Sequence, residues 1–179
     1  IDVGYTTFAR MKRNELIVND IQAGDVIVGL ASFGQASYEK DYNGGMGSNG
    51  LTGARHDVLD NSYAAQYPDS FDPNTPKEVI YTGSKKLTEE ISIDGKNIPI
   101  GKLILSPTRT YLPVLKRMLD EFKGQRRKDI HGLIHCTGGG QTKVQKFIKN
   151  KKIVKDKLFD VPPLFDLIQK ESGTGWREM

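Results

Sequence analysis

The sequence is short of cysteine, of long apolar runs and of excess charge. One cysteine, Cys136, stands among 179 residues. That excludes an internal disulfide and any site built from several cysteines, and it fits a reducing, cytoplasmic setting. No apolar stretch approaches the ~20 residues that cross a bilayer. Residues 1–14, IDVGYTTFARMKRN, lack the apolar segment of a signal peptide. The net charge is only +4, from 26 basic and 22 acidic residues. The basic residues gather at 126–128 and 149–157, beside predicted elements, which reads as solvated faces and not as a nucleic-acid surface. Neither a membrane nor a nucleic acid is expected as a partner. The pattern G-x-x-x-x-G-K-[ST] is missing too, and Lys143 is misplaced for it, which excludes a P-loop kinase.

What remains is an ordinary globular composition with an unusual use of glycine. Hydrophobic residues at 37% and charged residues at 27% argue against wholesale disorder. The length suits one domain, residues 1–179, with a real core. Glycine supplies 19 residues, above the ~7% average. They cluster at 44–53 and 138–140, so they serve as local devices and not as a low-complexity tract.

The densest motif is residues 129–143, DIHGLIHCTGGGQTK. Ile130, Gly132, Ile134 and Cys136 alternate with His131, Leu133 and His135, as in a strand. Thr137, Gly138, Gly139 and Gly140 follow, and then Val144, Phe147 and Ile148 recur at helical spacing. A glycine turn between strand and helix lets backbone N–H groups converge on an anion, most often a phosphate. The same turn also serves merely to join two elements. His131 and His135 are either proton-moving groups or packed strand residues, with His135 favoured for its nearness to the turn. Cys136 reads as a small buried side chain.

Elsewhere, residues 26–31 (VIVGLA) read as a buried strand. Ser48, Asn49 and Gly50 open a helix predicted over 49–63, as N-caps or as ligand contacts. Asp57 and Asp60 on it are most simply solvated. A short helix is expected near 85–90, then a hairpin about Asp94-Gly95, and a strand at 103–105. A helix starts near Pro113 and ends near Gly124. Arg109 lies in the loop before it, suited to a bidentate phosphate contact or to a salt bridge. A strand over 153–159 and a helix from Pro162-Pro163 to Gly173 complete the chain. Helices alternating with strands, some of them direct neighbours, predict an α+β fold with a mixed β-sheet covered by helices.

Five separated motifs also carry a resemblance. They are GDVIVGLASFG (24–34), SNGLTGAR (48–55), ILSPTRTYLPVL (104–115), HGLIHCTGGG (131–140) and VPPLFDLIQ (161–169) with Glu178-Met179. In this order they resemble the C-terminal half of the aminoimidazole ribonucleotide synthetase family, also called phosphoribosylformylglycinamidine cyclo-ligases. The resemblance is more specific than that to formylglycinamidine ribonucleotide synthetase, selenophosphate synthetase or thiamine monophosphate kinase, which share the architecture. It implies an ATP- and Mg²⁺-dependent ring closure of formylglycinamidine ribonucleotide in de novo purine synthesis. It implies catalytic roles for His135 and His131. Substrate or phosphate contacts are implied for Ser48, Asn49, Gly50, Arg109, Thr137, Gly138, Gly139 and Gly140. No metal ligand is expected in this chain. The family's N-terminal domain, which carries the metal ligands, most of the ATP site and the main dimer interface, has no counterpart here, nor do its last strands. Residues 35–47 depart from the family pattern, and no histidine precedes Ser48. An alternative is a phosphate- or nucleotide-binding module without ring-closing chemistry.

Overall fold

The computed structural model describes residues 4–47, 50–137 and 139–179. Its regular elements, in chain order, are β1 (Phe33–Gly34), β2 (Asn43–Gly44), α1 (Leu51–Val58), α2 (Ser62–Gln66), β3 (Glu90–Ile93), β4 (Lys96–Pro99), α3 (Ile100–Ile104), α4 (Leu112–Glu121), α5 (Arg126–Asp129) and α6 (Pro163–Ser172). A 3₁₀ helix, Gly140–Phe147, follows the glycine turn. The α+β class therefore holds. The strands form two antiparallel pairs, and two parallel bridges join Leu59 to Lys85 and Asp60 to Gly83. The chain divides into two compact units, Ile1–Val28 with Tyr111–Lys155, and Gly29–Thr110 with Asp156–Met179.

The second unit holds the apolar core. Val58 and Leu103 are fully buried and Leu164 is nearly so; Leu59, Ile80, Ile93, Ile100, Ile104 and Ile168 pack with them. Burying each such side chain contributes about 1.5–3 kcal/mol. The hairpin β3–β4 pairs Ile91 with Ile98 and Ser92 with Asn97. It turns at Asp94 (φ 51°) and Gly95 (φ 75°), two left-handed residues that match the twist of the strands. Pro162 and Pro163 set the start of α6, and Gly173 (φ 67°) ends it by donating its N–H to the Gln169 carbonyl.

Four expectations for this unit change. The helix predicted over 49–63 stops at Val58, because the Val58 carbonyl accepts from Lys85 N–H and Asp60 N–H donates to the Lys85 carbonyl. Gly83 makes this crossing possible: a Cβ there would stand 2.2 Å from the Val58 carbonyl carbon. Residues 103–105 are not a strand. They fall in and just after α3, since a short apolar run fits one helical turn against a core as well as a buried strand. Residues 85–90 form a turn before β3 instead of a helix, with Lys86 N–H donating to the Glu89 carboxylate. Residues 153–159 form no strand; Phe159 instead sets its ring edge-on to Phe33 at 6.0 Å.

In the first unit α4 begins one residue before Pro113, as its first-turn proline requires. Gly124 is left-handed three residues past its end (φ 85°). The stretch 130–136 is not a ladder strand. Its backbone is held singly, by Asp20 N–H donating to the His131 carbonyl at 2.8 Å and Leu133 N–H donating to Asn19 Oδ1 at 3.1 Å. A side-chain amide occupies the place of a neighbouring strand. The predicted strand 26–31 is likewise unpaired, with Val26 85% and Val28 77% exposed.

Candidate functional site

The glycine turn has the backbone that its sequence asks for. Gly139 (φ 87°) and Gly140 (φ 44°) both lie in the left-handed region, where a side chain would be strained. Gly140 N–H points to the Thr137 carbonyl at 3.4 Å, and Thr142 donates both N–H and Oγ1–H to the Gly139 carbonyl. Thr137, Gly139 and Gly140 are exposed. Gly138 lies outside the described residues. The helix that follows is 3₁₀ and not α, and it buries Val144.

The two histidines before the turn differ sharply. His131 Nδ1–H donates to the Asp25 carboxylate (2.8 and 2.9 Å), and Nε2–H donates to the Lys128 carbonyl at 3.0 Å. Two acceptors on two ring nitrogens require both protons, so this geometry favours the imidazolium. The hydrogen bond to the Asp25 carboxylate, then that to the Lys128 carbonyl, raises the His131 pKa. The Asp25 pKa is lowered by Gln22 N–H first and by His131 second. The two contacts thus favour the protonated ring of His131. His135 is exposed, and its ring makes no hydrogen bond among the described residues. Cys136 is exposed, contrary to the expected burial.

In the second unit the motifs around Ser106 and Gly50 come together. Asn43 Nδ2 donates to the Pro107 carbonyl at 2.9 Å, and Gly44 N–H donates to Ser106 Oγ at 2.8 Å. Gly44 has to be glycine, since a Cβ would meet the Leu103 carbonyl oxygen at 2.6 Å. A cavity of about 230 Å³ opens here, lined by Met46, Gly47, Leu51, Ile104, Ser106 and Thr108 among others. Gly50 is left-handed and exposed just before α1. Ser48 and Asn49 lie outside the described residues.

Arg109 takes the salt-bridge alternative. Nε and Nη2 bind Glu39 bidentately at 2.8 and 2.7 Å. Nη1 donates to the carbonyls of Ala31 and Phe33, and Nη2 also to that of Gly34. All five N–H groups have acceptors, and the side chain is 6% exposed. The phosphate contact is therefore corrected: no N–H of this guanidinium is left for an anion. Arg109 holds the Glu39 carboxyl below its usual pKa range.

The sequence alone did not single out His56. It is buried on α1, against Tyr81 (ring centroids 4.7 Å) and Phe71 (6.5 Å), and its Nδ1 accepts Tyr81 N–H at 3.2 Å. Burial lowers its pKa, with Arg55 adding to the effect. Asp57 beside it is raised by burial, and Asp60 is lowered by Lys86 at 2.5 Å, so neither carboxylate is simply solvated.

No protein-family model matches the chain. It is 31% identical over 180 residues to a phosphoribosylformylglycinamidine cyclo-ligase of Methanococcus vannielii, across 100% of this chain and 40% of that protein. The chain is homologous to part of the phosphoribosylformylglycinamidine cyclo-ligases. A cyclo-ligase of Methanocaldococcus jannaschii is 29% identical, again over 100% of this chain and 40% of its own length. One of Syntrophus aciditrophicus is 24% identical over 90% and 36%. The chain thus spans about 40% of the length of the cyclo-ligase relatives it matches. Among the described residues, no helix is long and apolar enough to cross a membrane.

Proposed function

We propose that this chain is the substrate-facing, C-terminal part of an ATP-dependent cyclo-ligase. The reaction converts formylglycinamidine ribonucleotide to aminoimidazole ribonucleotide in purine biosynthesis. The observation that carries the reading is similarity to cyclo-ligases along the whole chain. In the reaction the formyl oxygen takes the γ-phosphoryl group of ATP. The amidine nitrogen attacks the formyl carbon, and that oxygen leaves on phosphate, giving ADP and phosphate.

The exposed turn at Thr137, Gly139 and Gly140 holds the ribonucleotide phosphate or the phosphoryl group in transit through its backbone N–H groups. Gly138 belongs to the same turn; in the second unit, Ser48, Asn49 and Gly50 at the start of α1 are proposed separately as substrate contacts. His131, whose protonated form Asp25 favours, is the group that supplies positive charge. His135, whose ring makes no hydrogen bond among the described residues, is the group that moves a proton. Among the described residues no set of three His, Cys, Asp or Glu side chains could hold a metal ion. The Mg²⁺ that accompanies ATP finds no ligand set of this kind among these residues. We assign ATP and the dimer interface to the region of the relatives that lies outside this match, in a cytoplasmic protein.

The test is ATP-dependent ring closure by the protein that carries this chain together with that region. Turnover is expected, and a His135→Asn variant should lose most of kcat while KM changes little. Absence of ring closure by a folded protein would overturn the reading. Unchanged kcat in the variant would overturn the role of His135.

A further inference from the structure

A second cleft lies in the second unit, with a volume of about 500 Å³. Pockets of roughly 300–1,000 Å³ take small metabolites. Three of its lining residues are lysines from three different elements: Lys40 from the loop between β1 and β2, Lys96 from β4, and Lys102 from α3. Asp41 is the one lining carboxylate.

The ammonium groups of Lys40 and Lys102 have no carboxylate within ion-pair distance among the described residues. Lys85, Lys86, Lys116 and Lys170 do have such a partner. Lys96 Nζ is held by a neutral acceptor, Gln35 Oε1 at 3.1 Å, so its charge is not cancelled. Tyr42 forms part of the wall. Burial first, and then Asp94, raise its pKa, which keeps its hydroxyl a hydrogen-bond donor.

The cleft is preorganised. The Arg109–Glu39 pair fixes the loop just before Lys40, and Gln35 Nε2 donates to the carbonyls of Glu39 and Lys40 at 3.3 and 2.9 Å. At the start of α3, Ile100 N–H and Gly101 N–H donate to the carbonyls of Glu89 and Leu87, which anchors the helix that carries Lys102. Backbone already in place needs less ordering when a ligand arrives. Lysines, as point charges with donors and no acceptor of their own, suit a phosphate.

We propose that the cleft formed by Lys40, Tyr42, Lys96 and Lys102 binds a small phosphorylated molecule, its phosphate among the three ammonium groups and its body over Ile98 and Pro99. The site is independent of the glycine turn and does not rest on the cyclo-ligase reading.

Isothermal titration of the 179-residue chain with pyrophosphate at low salt tests it. Saturable binding is expected. Replacing Lys40→Gln and Lys102→Gln together should weaken it about tenfold or more. Lys116→Gln, on an exposed ion pair elsewhere, should leave it unchanged. No binding, an unaffected double variant, or an equal loss with Lys116→Gln each overturns the proposal. As a second readout, pyrophosphate should protect Lys40 and Lys102 from chemical acetylation, read by mass spectrometry. Equal labelling with and without pyrophosphate also overturns it.

Discussion

The two units are held together by different means. The buried apolar cluster from Met46 to Ile168 lies entirely in the second unit, whereas among the described residues of the first unit only Val144 is a buried hydrophobic. None of the residues of α4 is fully buried, despite its stripe of Leu115, Met118, Leu119 and Phe122. In the first unit, polar contacts from Asn19, Asp20 and Asp25 hold the segment that carries the histidines. A region with few buried apolar contacts opens at low free energy. The histidine and glycine-turn motif thus sits on the softer unit, and the Ser106 cavity on the stiffer one.

The strongest way to break this contrast is to remove Arg109. Arg109→Met leaves Glu39 and three backbone carbonyls without their donor and should cost about 3–5 kcal/mol. Lys116→Met in the first unit, on an exposed pair with Asp120, should be barely measurable by urea unfolding. Equal effects would remove the distinction. Next comes Leu103→Ala, expected to cost about 2–5 kcal/mol because the side chain is fully buried. Leu115→Ala on half-buried α4 should cost well under half as much in the same assay.

Smaller effects sharpen the comparison. Gly83→Ala sets a Cβ against backbone at 2.2 Å and should destabilise by about 1–3 kcal/mol. Gly132→Ala meets the end of the Asn19 side chain at 2.7 Å, which can turn aside, so a lower cost is expected in thermal unfolding. The smallest effect is the response to pH, where the units should differ in sign. His56 has a pKa below its ordinary 6.5. Its contribution is full above that value and is lost as pH falls through the folded-state pKa. His131 is raised above 6.5. Its contribution is full below 6.5 and is lost as pH rises through the folded-state pKa. Ring proton shifts titrated by NMR, assigned with His56→Asn and His131→Asn, should move to opposite sides of 6.5. Displacement to the same side would refute the opposition.

Where local chemistry decides the backbone, the sequence was readable. Asp94-Gly95 dictates its hairpin, Pro113 and Pro163 start their helices, and Gly173 ends the last one. The short apolar runs were not readable. The runs 26–31, 103–105 and 130–136 all look like strands, and their fate depends on whether another strand lies alongside. For 103–105 a core contact made a helical turn; for 130–136 Asn19 and Asp20 replaced a ladder. The candidate site divides in the same way. The left-handed glycines at 139 and 140 follow from their own residue type. The role of Arg109 depends on Glu39, 70 positions away, and the burial of His56 depends on Phe71 and Tyr81 coming over it. Neither distance has a local signature.

The Arg109 clamp also sets an order of events during synthesis. Its acceptors lie 70 to 78 positions earlier in the chain. While a ribosome makes the intervening residues, the carbonyls of Ala31, Phe33 and Gly34 and the Glu39 carboxylate go without the donors that Arg109 brings. Closing so large a loop is an entropic step with no local contact to guide it. The stiff unit therefore matures late: its first-made loop takes its final shape only after Arg109 has left the exit tunnel, with the β3–β4 hairpin already free to form.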